Sequence, residues 1–550
     1  MPGTVVLEHP QLGRLIGRDG AAASFLGIPY ATLTHRFAEP QVARNHATSD
    51  VDASKYGPTS PTPPGAFQLE MTMMQQNLVE PVTATSDLHA LNLNITVPYV
   101  KDKLATTGKL PVFVWIHGGG FVSGSPSWPQ YDMTNMVSLS AERNLPVIGV
   151  TVGFRLGALG FLTSRELRDA GCTTNNQLRD QIAALDWVRE HIGGFGGDAE
   201  NITLGGESAG AVEVGLLLQV ERPLFARAFM SGGSSLLMPP SPPEMQEWIY
   251  SQVTEALGLA AASAEDRVCT LRDMPIDDLV TKVAALPLPY RPVVDDEIVK
   301  YAATYTMVSG NLPGADIAAK SWLKGLMVGD CQFDASSMAI FLAHKKSGIQ
   351  EHFPRYLKEA LKENEALLID ELLEAYGFTS SAQVDEEIGF RQYLTFLNDI
   401  SYYAATVTFA RGWTTAHHSN CHAFFVNEQN PWEGMFQGEA THIMDVMLLF
   451  QNLNKQFPPA VRANAVQFAV DCFTFMYGRQ QQLWPSFSQR MQCVKVYGPS
   501  SWEPDADTPV AKVIDDILAP DSGRRRVMID LGDRFGLDAL AQAVAGFNAS

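Results

Sequence analysis

The sequence predicts an α/β fold: a mostly parallel, doubly wound central sheet with helical insertions. Three observations predict it. Short apolar runs end in glycine-rich turns, as in "LPVFVWIHGGGF" (110–121) and "ENITLGG" (200–206). Stretches with apolar residues at helical spacing lie between and after them, as in "LRDQIAALDWVREHI" (178–192). Strands that alternate with helices in this way build a parallel sheet with helices on both faces.

The elements follow in order. "TVVLEH" (4–9) and "AASFLGIPYA" (22–31) read as short strands and turns, and "YGPTSPTPPGAF" (56–67) as a proline-rich loop before the methionine-rich "LEMTMMQQ". "ALNLNITVP" (90–98) alternates polar and apolar residues as a strand does. "LPVFVWI" and "NLPVIGVTVGF" (144–154) are buried strands, and "ENITLGGESAGAVEVGLLL" (200–218) is strand, turn and helix. Residues 240–320 carry no clear pattern, whereas long helical patterns dominate 355–420, as in "RYLKEALKENEALLIDELLEAYG". No repeat or linker divides the chain, so 1–550 reads as one domain.

Composition narrows the function. The formal charge of −20 is spread along the chain, which argues against nucleic acid and anionic membrane as partners. No apolar run reaches the ~20 residues that span a bilayer, and the N-terminal stretch lacks the pattern of a secretory signal. None of the six cysteines forms a CxxC pair, so no zinc or redox site is expected, and scattered thiols suit a reducing compartment. The sequons at Asn94, Asn201 and Asn548 carry little weight without a secretion signal.

Two motifs carry chemistry. Gly206-Glu207-Ser208-Ala209-Gly210 has the form G-x-S-x-G between a strand and a helix. A nucleophile at so sharp a turn needs small neighbours, and the helix N-terminus favours developing negative charge. Upstream, His117-Gly118-Gly119-Gly120 ends the strand "PVFVWI". Glycines there let backbone N–H groups approach a tetrahedral oxyanion. The expected oxyanion donors are the N–H groups of Gly119, Gly120 and Ala209, with His117 holding the loop.

With these motifs in this order, the chain resembles type-B carboxylesterases, the cholinesterase-like family of α/β-hydrolases. The matching segments include "FLGIPYA", "RFAEP", "LNLNITVP", "VWIHGGGFVSGS", "GFRLGALGFL" and "NNQLRDQIAALDWVREHIGGFGGDAENITLGGESAGA". The match looks closest to filamentous-fungal members. The resemblance implies the α/β-hydrolase fold, a gorge-like site and ester hydrolysis without a cofactor or metal.

It also implies the remaining catalytic groups. In this fold the order runs Ser, acid, His. Of the histidines, only His344, His352, His417, His418, His422 and His442 follow Ser208. "LMVGDCQFDASSMAIFL" resembles the family's acid loop, with Asp334-Ala335-Ser336 where Glu-Gly-Ser is usual; Asp330 is the alternative acid. "NPWEGMFQGEATHIMDVMLLF" resembles the histidine loop, with His442 as base and Asp445 three positions on. Ser208, Asp334 and His442 are thus the expected triad. Glu207, Asp445 and Ser231 are expected to support it, and Arg155 with Asp180 to form a buried ion pair.

Departures from the family matter as well. Ala90 and "TSP" (59–61) stand where secreted members place a loop disulfide, and Cys269 lacks its partner, which favours the cytosol. Residues 61–89 contain no Trp, so choline esters are poor candidates. Met71, Met73 and Met74 are candidates to line an apolar gorge, with further walls expected from 280–345 and 385–410. No lid, oligomeric state or natural substrate is legible. The expectation is a hydrolase of small uncharged esters. A tailoring enzyme of secondary metabolism, transferring an acyl group or opening a lactone, is the alternative, and a catalytically inactive binding protein the remote one.

Overall fold

The computed structural model describes residues 3–44, 50–101, 103–284, 286–310, 322–361, 366–378, 385–415, 420–488, 490–503, 508–519 and 523–550. His417 and His418, and parts of the expected wall 280–345, lie outside them.

Among the described residues twelve strands, numbered in chain order, make up the path of the main sheet. They are β1 (Thr4–His9), β2 (Gly13–Arg18), β3 (Ala23–Pro29), β4 (Asn92–Val97), β5 (Leu110–Ile116), β6 (Ile148–Val152), β7 (Gly197–Glu207), β8 (Arg227–Ser231), β9 (Gly325–Cys331), β10 (Cys421–Val426), β11 (Val494–Tyr497) and β12 (Ala511–Ile514). The short strand Val51–Asp52 pairs with β2 off this path. In space the order is β1-β2-β3-β4-β6-β5-β7-β8-β9-β10-β11-β12. From β6 to β11 every neighbouring pair is parallel. The flanking pairs are antiparallel.

The helices needed below are α1 (Ala66–Met74), α2 (Asn176–His191), α3 (Ala209–Leu217), α4 (Ile276–Ala284), α5 (Met444–Phe450), α6 (Pro459–Met476) and α7 (Leu537–Ala549). Alternation along β5 shows why both faces of the sheet are covered. Val112, Val114 and Ile116 enter one core with Leu185 of α2 and Val212 of α3. Phe113 and Trp115 enter the other with Phe450 of α5 and Phe468 of α6. Side chains on a strand point to opposite faces at period two, so an unbroken apolar run needs helices on both sides.

The strand order places the site. β5 is followed in sequence by β6 on one side, and the chain then crosses back to lay β7 on the other, with Ile116 beside Gly206 in register. Ligand sites of open parallel sheets form at the carboxyl ends of strands where the winding reverses. The two glycine motifs therefore emerge side by side.

The expected ion pair locks the neighbouring turn. Arg155 Nε and Nη2 donate to the Asp180 carboxylate at 2.8 and 2.6 Å, and Nη1 donates to the carbonyls of Arg36 and Ala38 at 3.0 and 2.9 Å. Both side chains are fully buried, so this pairing is what makes them tolerable there.

Residues 240–320, patternless in sequence, contain the helices Pro243–Ala256, Ala264–Asp273 and α4. Within 355–420 the helical pattern resolves into several pieces, including Ile349–Ala360, Ala366–Ala375 and Glu386–Asn398. The sequon residue Asn94 is buried and bonded to Gly27, Pro126 and Thr151, so its side chain is structural. All six cysteines are free thiols. Among the described residues no helix is long and apolar enough to cross a membrane.

Candidate active site

Ser208 sits between β7 and α3 with φ 55 and ψ −126. Such a conformation costs a non-glycine residue about 1–3 kcal/mol and survives only where the surroundings enforce it. Here Ser208 N–H donates to the Ser231 carbonyl at 3.0 Å, and its carbonyl accepts from Val212 N–H at 3.1 Å. The glycine two positions on is obligatory: a Cβ on Gly210 would lie 2.2 Å from the Ile116 carbonyl oxygen. The spacing of G-x-S-x-G is thus a packing requirement between the turn and β5.

The loop after β5 carries two of the expected donors, Gly119 and Gly120. Gly119 has φ 108, and its carbonyl is tied back by the N–H groups of Val122 and Ser123 at 3.1 and 3.0 Å. Among the described residues the N–H groups of Gly119 and Gly120 donate to no protein acceptor. Ala209 opens α3, so its N–H has no intrahelical acceptor. The loop rests on His117, whose Nδ1 contacts the Gly118 carbonyl at 2.9 Å and whose ring stacks on Phe154 at 4.4 Å. Burial pushes its pKa down to about 4, so it is neutral and serves as a spacer.

His442 lies in the turn before α5. Its Nδ1 donates to Asp334 Oδ1 at 2.7 Å, and its backbone N–H donates to Ser336 Oγ at 3.0 Å. Asp334 follows β9 and is fully buried; its Oδ2 accepts from Cys331 N–H at 2.8 Å. Asp330, the alternative acid, is turned away. Its neighbour is Arg525, 3.8 Å away, and burial raises its pKa well above the carboxylate range.

The other face of the imidazole differs from a simple Ser-His relay. Nε2 lies 2.9 Å from Glu207 Oε1, which is a close ion-pair contact but not an aligned hydrogen bond. Ser208 Oγ makes no side-chain hydrogen bond to His442 here; both side chains face the same cavity. Two carboxylates beside the ring outweigh its burial and raise the His442 pKa well above 6.5, Glu207 contributing most. Burial in turn pushes Glu207 up to about 7 and Asp445 up to about 6. Ser231 Oγ donates to Asp445 Oδ2, so these two expected supporting residues do meet.

A cavity of about 1270 Å³ opens over these groups. Ser208, Glu207, His442, Gly119 and Gly120 line it, and its remaining wall is mostly apolar. Of the methionine cluster only Met73 reaches the cavity; Met71 and Met74 are packed in the core, because they fall on the inner face of α1. Residues 286–291, 302–305, 337–344 and 397–402 supply parts of the expected walls.

Two contributors were missed in the sequence. Glu70 of α1, buried beside the site, accepts from Gln130 Nε2 at 2.5 Å and Tyr131 Oη at 2.8 Å. An acidic residue inside the apolar "LEMTMM" was the available signal. Helix α7, whose Ala541, Val544 and Ala545 line the cavity, gave none, since nothing local ties it to residue 208.

Comparison with known proteins gives the family of the chain. The chain matches the family model described as the carboxylesterase family over residues 6–460. It is 37% identical over 213 residues to a probable N-octanoylanthranilate hydrolase of Rhodococcus erythropolis, covering 38% of this chain and 42% of that protein. It is 33% identical over 311 residues to the phenmedipham hydrolase of Pseudarthrobacter oxydans, covering 53% and 56%. The chain spans about half the length of the curated relatives it matches. The solved structure of a Geobacillus stearothermophilus carboxylesterase superposes with a TM-score of 0.71 at 23% identity, covering 95% of this chain and 99% of that one. That likeness is one of fold, the α/β-hydrolase fold. On the family match over most of its length, the chain belongs to the carboxylesterase family.

Proposed function

We propose that the chain is a serine carboxylic-ester hydrolase working through Ser208, Asp334 and His442. One observation carries this reading: a half-buried serine at a strained turn, an Asp-oriented imidazole and uncommitted backbone N–H donors all line one cavity. Neutral His442 takes the Ser208 proton as Oγ attacks the ester carbonyl, and Asp334 stabilises the imidazolium. The N–H groups of Gly119, Gly120 and Ala209 receive the oxyanion. His442 then protonates the leaving alcohol and activates water to release the acid.

For Nε2 to serve Ser208, the ring has to leave its contact with Glu207. The apolar wall favours esters that are apolar around the scissile bond. Both named relatives are hydrolases, which supports hydrolysis over acyl transfer to another acceptor. A single domain working in a reducing, cytosolic compartment is the accompanying proposal, supported by the six free cysteines.

The test is a p-nitrophenyl ester chain-length series on the wild type and Ser208→Ala. Turnover by the wild type that is lost in the variant supports the reading. Equal turnover by Ser208→Ala overturns it.

A further inference from the structure

The cavity wall contains few ionisable side chains, and nearly all the charged ones have partners. Glu70 is held by Gln130 and Tyr131, and Glu207 faces His442. Asp538 of α7 accepts from the backbone N–H groups of Tyr305 and Thr306 at 2.5 and 3.1 Å and from the Thr306 hydroxyl at 2.6 Å. Arg291 is the exception. It is partly buried in the same wall, yet its guanidinium has no hydrogen bond, ion pair or ring contact among the described residues. Only its carbonyl is used, accepting from Gln246 Nε2 at 3.1 Å.

Other buried arginines among the described residues have side-chain partners. Arg155 has Asp180, Arg36 has Asp87 at 2.9 Å, and Arg525 lies against Asp399 and the rings of Tyr403 and Phe425. Arg227, which has no acid, still donates to Asn201 and to the Met476 carbonyl at 3.2 Å. For Arg291, burial lowers the pKa and no carboxylate offsets it. An arginine that lines the cavity with no partner in the protein is free to take one from a ligand, and its planar fork matches a carboxylate in two parallel hydrogen bonds.

The position is also rigid. Arg291 follows Pro287 and Pro289 and precedes Pro292, whose carbonyl accepts from Ser241 N–H at 2.8 Å. Fixed φ angles and this anchor hold the backbone at Arg291 in place.

We propose that the substrate is an ester carrying a carboxylate, and that Arg291 is the specificity-determining residue that binds it. At this one point of the wall the proposed substrate differs from the expected uncharged ester. The inference rests on the hydrolase reading, since it names the substrate class of that site. The carboxylate belongs either to the far end of the acyl chain or to the alcohol, and the two sources call for separate probes.

The test compares kcat/KM for acid and primary-amide pairs of equal shape. One pair is p-nitrophenyl hydrogen suberate and its terminal amide; the other is 4-(carboxymethyl)phenyl octanoate and its amide. A wild-type preference for the acid of about tenfold to hundredfold in either pair, falling towards unity in Arg291→Met and partly kept in Arg291→Lys, supports the proposal. The responding pair identifies the arm that carries the charge. Equal use of acid and amide, or a preference that persists in Arg291→Met, overturns it while leaving the hydrolase reading intact. If no ester is hydrolysed, the hydrolase reading falls, and calorimetry on Ser208→Ala decides the role of Arg291. There, suberic acid monoamide has to bind at least about tenfold more weakly after Arg291→Met; equal binding overturns the proposal.

Discussion

The carboxylate of Glu207 stands at the ring nitrogen of His442 that the proposed mechanism assigns to Ser208: Oε1 and Nε2 are 2.9 Å apart. With Asp334 on Nδ1, the imidazole lies between two acids, and both favour its protonated form. The base must be neutral to act, so kcat/KM falls as pH drops through the raised pKa. Glu207→Gln removes one of the two charges and moves this acid limb to lower pH by about one pH unit. A limb that stays in place, read from the pH profile of kcat/KM, would show that Glu207 does not act on the base.

The two aspartates of the acid loop are separable by isosteric change. Asp334→Asn loses the acceptor that orients His442, and kcat drops by about 10³–10⁴. Burial pushes the pKa of the Asp330 carboxyl up and Asp330 makes no contact with His442, so the isosteric Asp330→Asn costs far less. Equal losses in steady-state kinetics would reverse the assignment of the acid.

Gly119→Ala tests the oxyanion loop. A Cβ there meets the Ser123 carbonyl oxygen at 2.2 Å and strains a backbone already at φ 108. The loop shifts and its N–H donors leave register, lowering kcat by about 10²–10³. Thermal unfolding moves little by comparison, because the loop lies outside the sheet. Unchanged kcat would remove Gly119 from the donor set.

Asp180→Asn leaves Arg155 charged and buried without its counter-ion. The expected cost is about 3–5 kcal/mol, seen as a lower urea midpoint. A midpoint within error of the wild type would mean that the pair contributes nothing to the fold.

The site also sets a pH dependence of stability. Folding raises the pKa of Glu207 to about 7 and of Asp445 to about 6, above their unfolded values of 4.5 and 3.8, and raises His442 above 6.5. In each case the native state holds more protons, so this cluster's contribution to stability declines as pH rises. For the acids the decline runs from the unfolded pKa upward, and for His442 through its folded pKa. Asp445→Asn is expected to flatten the change in urea midpoint between pH 4 and pH 7; an unaltered slope counts against this account.

The parallel sheet was legible because its signals are local. Residues 110–116 and 200–207 announce buried strands, and the glycines after each announce turns that only small residues fill. Arg155 and Asp180 were legible through the resemblance alone. Residues 240–320 were not legible, since short helices packed on a larger body need little pattern of their own. Met71, Met73 and Met74 form one cluster in the sequence, yet α1 turns Met71 and Met74 inward.

By itself the sequence determined the strand–turn–helix frame, the serine turn and the loop that meets it, since backbone sterics and strand periodicity act over a few residues. The tertiary structure alone decided that Asp334 rather than Asp330 faces His442, that the imidazole rests against Glu207, and that α7 and the unpaired Arg291 share the cavity with Ser208. Those relations join residues far apart in the chain. They depend on distances and on burial from water, and neither exists until the sheet has formed and its helices have closed over it.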